Sequence, residues 1–434
     1  TLTQEELLRL GPDLLRKYLV RHTQFEDYDA TNRSAYLFAL GKDALFDGND
    51  ERALAYLNGV GRKSPLYPFA LQLRGTAKAI MGKSESALSD FEECVDLAED
   101  QAASVAGETR GESGVGREWA EQREREAFDL AARCQAGHAR SLYQENRFDE
   151  ADRSYDLIPK ASFVWTDILF EQAWNAFGLS EFNRTLGKLV SYKSPGLQFV
   201  FNPEMDVLRA QSYLALCLYS DANAVVNEFN SRYGRLGEQV KDFVETNAND
   251  LGAFFNRGKK AVGEPLHTRD LFDQMLNRFV RSPYFMNLVV AERAVSSENT
   301  VIQRFAALGD LKSTPVRDPG EGLTGFLEQV LKWRLKSIRF LGGAFVKNSL
   351  LDHHTQLISD FEKMQFIKLE MLRLAKDRLA GKTYDPELDG EDGRSRGNRR
   401  PYRKDDQYYW SFNGEFWNDE LGDYVFGLES ECRS

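Results

Sequence analysis

The chain has 434 residues, of which 56 are basic and 67 acidic, giving a formal net charge of −11. Hydrophobic residues make up 42% and charged residues 28%, as in an ordinary globular protein. The acidic balance argues against general nucleic-acid binding, which needs a basic surface. No run of about eighteen apolar residues occurs, so the sequence predicts no membrane span.

The amino terminus and the cysteines leave the compartment open. The chain begins at Thr1 without an initiator methionine or a signal peptide, which fits a mature or truncated form and allows for a removed export signal. No CxxC spacing occurs, so a zinc cluster is not expected among the four cysteines, Cys94, Cys134, Cys217 and Cys432. This number fits both buried thiols in a cytosolic protein and disulfides in an exported one.

Two stretches near the amino terminus repeat with an offset of 34 residues. LFALGKDALFDGNDERALAYLNGVGRKSP at 37–65 aligns with LQLRGTAKAIMGKSESALSDFEECVDLAE at 71–99. Each stretch predicts two helices joined by a short glycine-containing turn. Small residues would let the two helices approach closely, and larger apolar residues would fill the space between hairpins. The paired positions are Gly41 with Gly75, Gly48 with Gly82, Ala53 with Ala87, Leu37 with Leu71, and Leu57 with Phe91.

Three further stretches continue this pattern. HARSLYQENRFDEADRSYDLIPK at 138–160 forms a third unit, and PEMDVLRAQSYLALCLYSDANAVVNEF at 203–229 forms a fifth. The fourth unit between them places Ala173, Ala176, Phe182, Thr185 and Leu189 in phase.

The five units resemble the tetratricopeptide repeat (TPR) over residues 34–233. The first unit carries nearly the whole signature, in Leu37, Leu40, Gly41, Ala44, Gly48, Ala53, Leu57, Val60 and Pro65. The second unit departs from it at Arg74 and Lys78 and lacks the closing proline. The resemblance implies a TPR superhelix that recognises protein partners.

The remaining boundaries follow from composition. Residues 1–33 predict a helical lead-in. EDQAASVAGETRGESGVGR at 99–117 predicts a loop insertion between the second and third units, with a frayed helix extension as the alternative. Residues 383–407 place an acidic block before a basic one and predict a charged linker.

Residues 234–382 lose the repeat phase but keep helical spacing. FLEQVLKWRLKSIRFLGGAFVKN at 326–348 and LLDHHTQLISDFEKMQFIKLEMLRLAKDRLAGK at 350–382 predict long antiparallel helices that pack on the last repeat. Self-association through the helices of 326–382 is an alternative role for this region.

The carboxyl-terminal segment, residues 408–434, is unusually aromatic. Asn413-Gly414 is typical of a type I′ hairpin turn, because both residues accept positive φ. This register places Trp410 opposite Trp417. A two-stranded hairpin is not stable alone, so we expect a small β-rich aromatic cap that docks on the protein's own helices, or alternatively on a partner. The aromatic residues of this cap are Trp410, Phe412, Phe416 and Trp417.

The sequence offers no catalytic signature. No GxGxxG, GxxxxGK[ST], HExxH or GxSxG motif is present. His353 and His354 are adjacent and would point to different sides of a helix, which makes a poor metal pair. We therefore expect no enzyme activity, no cofactor and no metal site.

The TPR resemblance implies a binding site in the concave groove lined by the first helices of the repeats. Phe38 and Lys42 stand where carboxylate-clamping TPR domains carry a Lys and Asn pattern, so a chaperone-tail clamp is not expected. An aromatic-lined groove for an extended or helical peptide is favoured, and packing of these aromatics within the array is the alternative. The implied groove residues are Phe38, Lys42, Phe46, Gln72, Thr76, Arg140, Tyr143, Phe170 and Trp174.

Two segments, 201–233 and 408–432, are similar to segments of exported TPR proteins of predatory and gliding deltaproteobacteria. This resemblance implies a periplasmic or envelope location, near gliding-motility machinery, and a scaffold role there. It also implies disulfides, with Cys217 paired to Cys432 and Cys94 paired to Cys134. A cytoplasmic assembly factor is the alternative. The sequence thus predicts an all-α protein: a TPR superhelix, then long antiparallel helices, then the aromatic cap.

Overall fold

A computed structural model describes residues 23–109, 115–266, 268–307, 323–379 and 414–432. Fourteen helices hold 77% of the described residues, and no strand occurs among them. The prediction of an all-α protein is therefore confirmed. The described residues divide into two compact units, one of 23–189 with 414–428 and the other of 190–379 with 429–432.

Unit 1 is built from four helical hairpins, one for each of the first four predicted repeat units. A short 3₁₀ turn at Phe25–Asp27 precedes them, and Asp29 caps the first helix by accepting a hydrogen bond from the backbone N–H of Asn32 at 2.8 Å. The hairpin helices are α1 (Ala30–Phe46), α2 (Asp50–Leu57), α3 (Tyr67–Ile80), α4 (Ser84–Thr109), α5 (Val115–Gln144), α6 (Phe148–Asp156), α7 (Trp165–Gly178) and α8 (Phe182–Val190).

The same backbone turn closes all four hairpins. The second residue after each first helix adopts positive φ. The backbone N–H of the residue that follows it donates to the carbonyl five residues earlier, as in a Schellman motif. In the first hairpin the N–H of Asn49 donates to the carbonyl of Ala44 at 2.9 Å. Glycine supplies the left-handed conformation without steric cost in the first two hairpins only. The four residues are Gly48 (φ 71°), Gly82 (φ 72°), Asn146 (φ 58°) and Ser180 (φ 61°).

The small residues of the repeat lie where the helices touch. A Cβ on Gly41 would lie 2.6 Å from Cγ of Leu57, and one on Gly75 would lie 2.8 Å from the ring of Phe91. The same ring also covers Gly137 of α5, so one phenylalanine fills the space between two hairpins. This packing is the physical reason that glycines and large apolar residues recur at fixed positions.

The predicted loop at 99–117 is helical over most of its length. Helix α4 continues to Thr109 and α5 begins at Val115, while residues 110–114 lie outside the described part. The alternative of a helix extension is therefore the better description of the described residues. Cys94 of α4 is joined to Cys134 of α5 by a disulfide in this long pair.

Unit 2 begins with a 3₁₀ turn at Ser191–Lys193 and contains a fifth hairpin and four more helices. Its hairpin turn repeats the motif, with Cys217 at φ 58° and the N–H of Leu218 donating to the carbonyl of Tyr213. A single core cluster runs through all six helices, with the buried rings of Phe229, Phe254 and Phe285 among its largest members. These helices are α9 (Glu204–Ala215), α10 (Tyr219–Thr246), α11 (Leu251–Gly263), α12 (Leu271–Val280), α13 (Pro283–Ala307) and α14 (Leu323–Leu379).

The two long helices predicted at 326–348 and 350–382 are one continuous helix, α14, of 57 residues. The Gly342-Gly343 pair does not break it. A Cβ on Gly343 would overlap the backbone of Leu251, so the pair lets α11 pass close by. Antiparallel packing occurs instead between α13 and α14, because Glu298 lies against Arg334 and Glu292 lies against Arg339. These contacts are ion pairs, Arg334 to Glu298 at 2.6 Å and Arg339 to Glu292 at 3.0 Å.

Residues 414–428 belong to unit 1, where they pack on α7 and α8. The N–H of Phe426 donates to the carbonyl of Asn183 at 3.0 Å, and the Asn183 side chain exchanges two hydrogen bonds with the backbone of Leu428. Residues 429–432 belong to unit 2, where Cys432 forms a disulfide with Cys217. The structure thus joins both cysteine pairs that the resemblance implied.

The aromatic hairpin is described only in part. Trp410, Phe412 and the linker 383–407 lie outside the described residues, as do residues 1–22 of the lead-in. The described end, 414–432, contains turns and irregular backbone but no strand, so the predicted β-rich cap is not confirmed. Among the described residues, no helix combines the length and apolar character that crossing a membrane requires.

Candidate functional site

The predicted groove residues all lie on the first helices of the four hairpins in unit 1. Lys42, Thr76, Arg140 and Trp174 occupy the same position of successive hairpins, on α1, α3, α5 and α7 respectively. Helix α1 contacts α3, α3 contacts α5, and an ion pair joins α5 to α7. The repeat therefore lines up four helices whose equivalent side chains form one continuous face.

The face begins with exposed apolar side chains at the ends of α1 and α3. Phe46 is 74% exposed, and Ile80, at the equivalent position of the next hairpin, is 63% exposed. Ile80 was missed from the sequence, although its offset of 34 from Phe46 could have identified it. Phe38 is a correction, because it is only 3% exposed and packs in the core of unit 1 instead of facing a ligand.

Two cations lie together beyond these apolar residues. Lys42 of α1 is half-buried, and its pKa is lowered first by loss of solvation and then by the positive charge of Arg133 on α5. Arg133 is exposed, and its guanidinium lies 5.9 Å from the ring centre of Phe163. Two neighbouring positive charges that disfavour each other would both be stabilised by an incoming carboxylate. The sequence reading missed Arg133, which lies seven residues, or two helical turns, before Arg140.

The middle of the face is polar and already hydrogen-bonded. Arg140 of α5 makes a two-pronged ion pair with Glu171 of α7, with Nε to Oε2 at 2.8 Å and Nη2 to Oε1 at 2.6 Å. The hydroxyl of Tyr155 donates to the same carboxylate at 3.2 Å. On α3, the hydroxyl of Thr76 donates to the backbone carbonyl of Gln72 at 2.9 Å. The Arg140–Glu171 ion pair fixes the spacing of α5 and α7 and leaves Arg140 partly exposed.

Aromatic rings occupy the far end of the face. Phe170, Trp174 and Phe177 of α7 contact one another edge to face, with ring centres 6.5 and 5.8 Å apart. All three are partly exposed, and Tyr143 of α5 stacks edge-on against Phe148 at 5.3 Å. Rings held by such contacts can cover an apolar side chain with little loss of their own freedom. The sequence-predicted Phe170 and Trp174 on α7 and Tyr143 on α5 are thus partly exposed.

The cap residues divide between buried and exposed. Phe416 packs edge-on against Tyr424 at 5.9 Å, and Tyr424 is buried against unit 1. The Trp417 side chain is largely exposed, with 57% of the residue's surface open to solvent, although its backbone N–H donates to the Tyr424 hydroxyl at 2.8 Å. The described part of the cap is thus anchored through Tyr424, and the two tryptophan positions of the predicted hairpin are not described together.

No group of three or more His, Cys, Asp or Glu side chains among the described residues is arranged to hold a metal ion. Comparison of the chain with protein-family models, with curated proteins and with solved structures finds no match. Function is therefore inferred from the geometry of the chain's own residues.

Proposed function

We propose that this protein is a non-catalytic scaffold that binds a segment of a protein partner along the first-helix face of unit 1. The observation that carries the proposal is the alignment of Lys42, Thr76, Arg140 and Trp174 at one repeated position. An extended or helical peptide needs such an aligned series of contacts, and a small-molecule substrate does not. The resemblance of the repeats to TPRs supports the same function.

The chemistry of the face suggests what the partner segment carries. Phe46 and Ile80 offer exposed apolar surface at one end, and Phe170 and Trp174 offer aromatic surface at the other. The positive charges of Lys42 on α1 and Arg133 on α5 act on each other. We infer a segment with apolar or aromatic side chains and at least one carboxylate.

We propose the bacterial envelope or periplasm as the location of this scaffold, near gliding-type machinery. The two disulfides support this choice, because disulfides persist in oxidising compartments and are rare in the cytosol. The similarity of 201–233 and 408–432 to exported proteins supports it independently.

The test uses a matched pair of substitutions at exposed apolar residues. Ile80→Asp lies on the proposed face, whereas Leu157→Asp alters a residue that is 70% exposed on the second-helix side of the third hairpin. Both sites are exposed, so both variants should fold with unchanged melting temperature. We expect the intact chain and Leu157→Asp to retain a partner from envelope extracts, and Ile80→Asp to lose it.

The retained protein must then be purified and its affinity measured by calorimetry. Burying an exposed isoleucine contributes about 1.5–3 kcal/mol, so Ile80→Asp should weaken binding by at least about 10-fold. A partner that binds both variants equally would show that the first-helix face is not the binding site. Loss of binding in both variants would point to a different surface of unit 1.

A further inference from the structure

Helix α14 carries a row of large apolar side chains that solvent reaches. Nine such residues have between 36% and 74% of their surface exposed. A monomeric protein rarely exposes a contiguous apolar patch of this kind. The exposed residues are Phe326, Val330, Trp333, Phe340, Leu351, Ile358, Phe366, Leu369 and Leu372.

The spacing of these residues puts them on one side of the helix. Eighteen residues make five turns of an α-helix, so side chains at this spacing point the same way. Trp333, Leu351 and Leu369 are related by this spacing, and so are Phe340 and Ile358. We call this row, from 326 to 372, the outer stripe; it is about 70 Å long at a rise of 1.5 Å per residue.

The opposite side of α14 is also apolar, but it is buried. Leu331, Val346, Leu350 and Met364 belong to the core cluster of unit 2. The outer stripe is therefore not needed to hold α14 in its own unit. A helix that is apolar on both sides is normally covered on both sides.

A second copy of the chain, running antiparallel, fits the outer stripe. Taking Leu351 as the centre pairs Trp333 with Leu369, 18 residues to either side, and Val330 with Leu372, 21 residues to either side. Five of the nine stripe residues are thus placed symmetrically about Leu351, as an interface with two-fold symmetry requires.

The charges along α14 favour the same orientation. Residues 329–351 contain five basic residues and no acidic one, whereas residues 352–370 contain four acidic residues and two lysines. An antiparallel pair places the basic half of one copy beside the more acidic half of the other. A parallel pair would place the basic halves together, which is unfavourable.

The outer stripe is also large enough to form a dimer interface. A standard interface buries about 800 Å² on each partner. Since a covered aromatic side chain buries about 150–250 Å², the exposed fractions of the stripe's four aromatic residues provide roughly half of that area.

Beside the stripe, a cleft of about 410 Å³ is lined by Lys332, Lys336 and Phe340 of α14 and by Leu251 of α11. Such a cleft can receive a side chain from the opposing copy.

We propose that the protein forms an antiparallel homodimer through the outer stripe of α14, centred on Leu351. This interface lies in unit 2 and is independent of the partner-binding face proposed for unit 1. A dimer would present two such faces in one assembly.

Sedimentation velocity of the full chain over a range of concentrations tests for the dimer. We expect a monomer–dimer equilibrium, and Trp333→Glu should raise the dimer Kd by at least about 30-fold. Leu157→Glu changes an equally exposed apolar residue of unit 1 and should leave the Kd unchanged. A chain that stays monomeric at all concentrations would overturn the proposal and indicate that another part of the chain or a different protein covers the stripe.

Cysteine crosslinking tests the orientation. In an antiparallel pair centred on Leu351, Leu351→Cys should form a disulfide with its counterpart under mild oxidation. Trp333→Cys alone should not, but it should crosslink when mixed with Leu369→Cys. The native cysteines are already paired and do not compete. Self-crosslinking of both Leu351→Cys and Trp333→Cys would show a parallel pair and refute the antiparallel arrangement.

Discussion

Replacing Gly187 with alanine should release the carboxyl-terminal segment from unit 1. Gly187 lies in α8 directly beneath the tail, and a Cβ at this position would overlap the carbonyl group of Tyr424. Because the obstructing atoms are backbone, no side-chain rotation can relieve the overlap. Residues 422–428 must therefore move away from α8.

The contacts of this segment indicate the free energy with which it docks on α8. Four hydrogen bonds connect it to α8: three involve Asn183, and the fourth joins Lys188 Nζ to the carbonyl of Gly422 at 3.2 Å. Each contributes about 1 kcal/mol net, and the entropy of ordering the segment opposes them. We expect docking to weaken by about 2–4 kcal/mol.

Hydrogen exchange measures this change directly, because the N–H groups of Phe426 and Leu428 are both donors in the docked state. Their protection should fall by roughly 30-fold or more in Gly187→Ala. Gly107→Ala is the matched control, since Gly107 is also helical but a methyl group added there would meet no atom within 4 Å. The control should gain up to about 1 kcal/mol of helix stability and keep the tail protected. Unchanged protection in Gly187→Ala would refute the reasoning.

Two further predictions concern pH and redox state. Burial lowers the pKa of Lys188 from 10.5 to about 8, so between these values the unfolded chain binds more protons and stability should rise with pH by up to about 3 kcal/mol. Denaturant titrations should show that Lys188→Met abolishes this rise and that the exposed Lys63→Met retains it; a rise that survives in Lys188→Met would contradict the assignment. Protein purified from the envelope without reductant should have no alkylatable thiol, and its intact mass should be lower than the reduced mass by the four hydrogen atoms that two disulfides remove. Free thiols would argue against an oxidising compartment.

The sequence was most informative where one local rule repeats. Glycine at 48 and 82 indicated the hairpin turns, because a left-handed residue is required there and glycine adopts it freely. The later turns use Asn146, Ser180 and Cys217, so in those hairpins only the apolar spacing identified the motif. Alanines and glycines at the helix contacts were equally predictive, since neighbouring large side chains leave no room for more atoms.

The prediction failed where local composition and packing disagree. Gly- and Ser-rich residues at 99–117 favoured a loop, yet α4 and α5 extend through most of this range as a long pair of helices. The apolar spacing predicted separate helices at 326–348 and 350–382, but α14 runs through both without a break, and α11 packs against its Gly342-Gly343 pair. Propensity is a weak prior, and tertiary contacts outweighed it in both places.

The candidate site also has some features that the sequence predicted and others that only tertiary packing determined. Repeat position alone assigned Lys42, Thr76, Arg140 and Trp174 to a shared face, because equivalent residues of stacked hairpins point the same way. Whether each side chain is accessible depends on the neighbours that surround it, and these come from distant parts of the chain. Phe38 is buried and Phe46 is exposed, although both lie on the same helix. The period of the sequence determined the helices and their equivalent positions, and only the tertiary structure decided which of those positions remain free to bind.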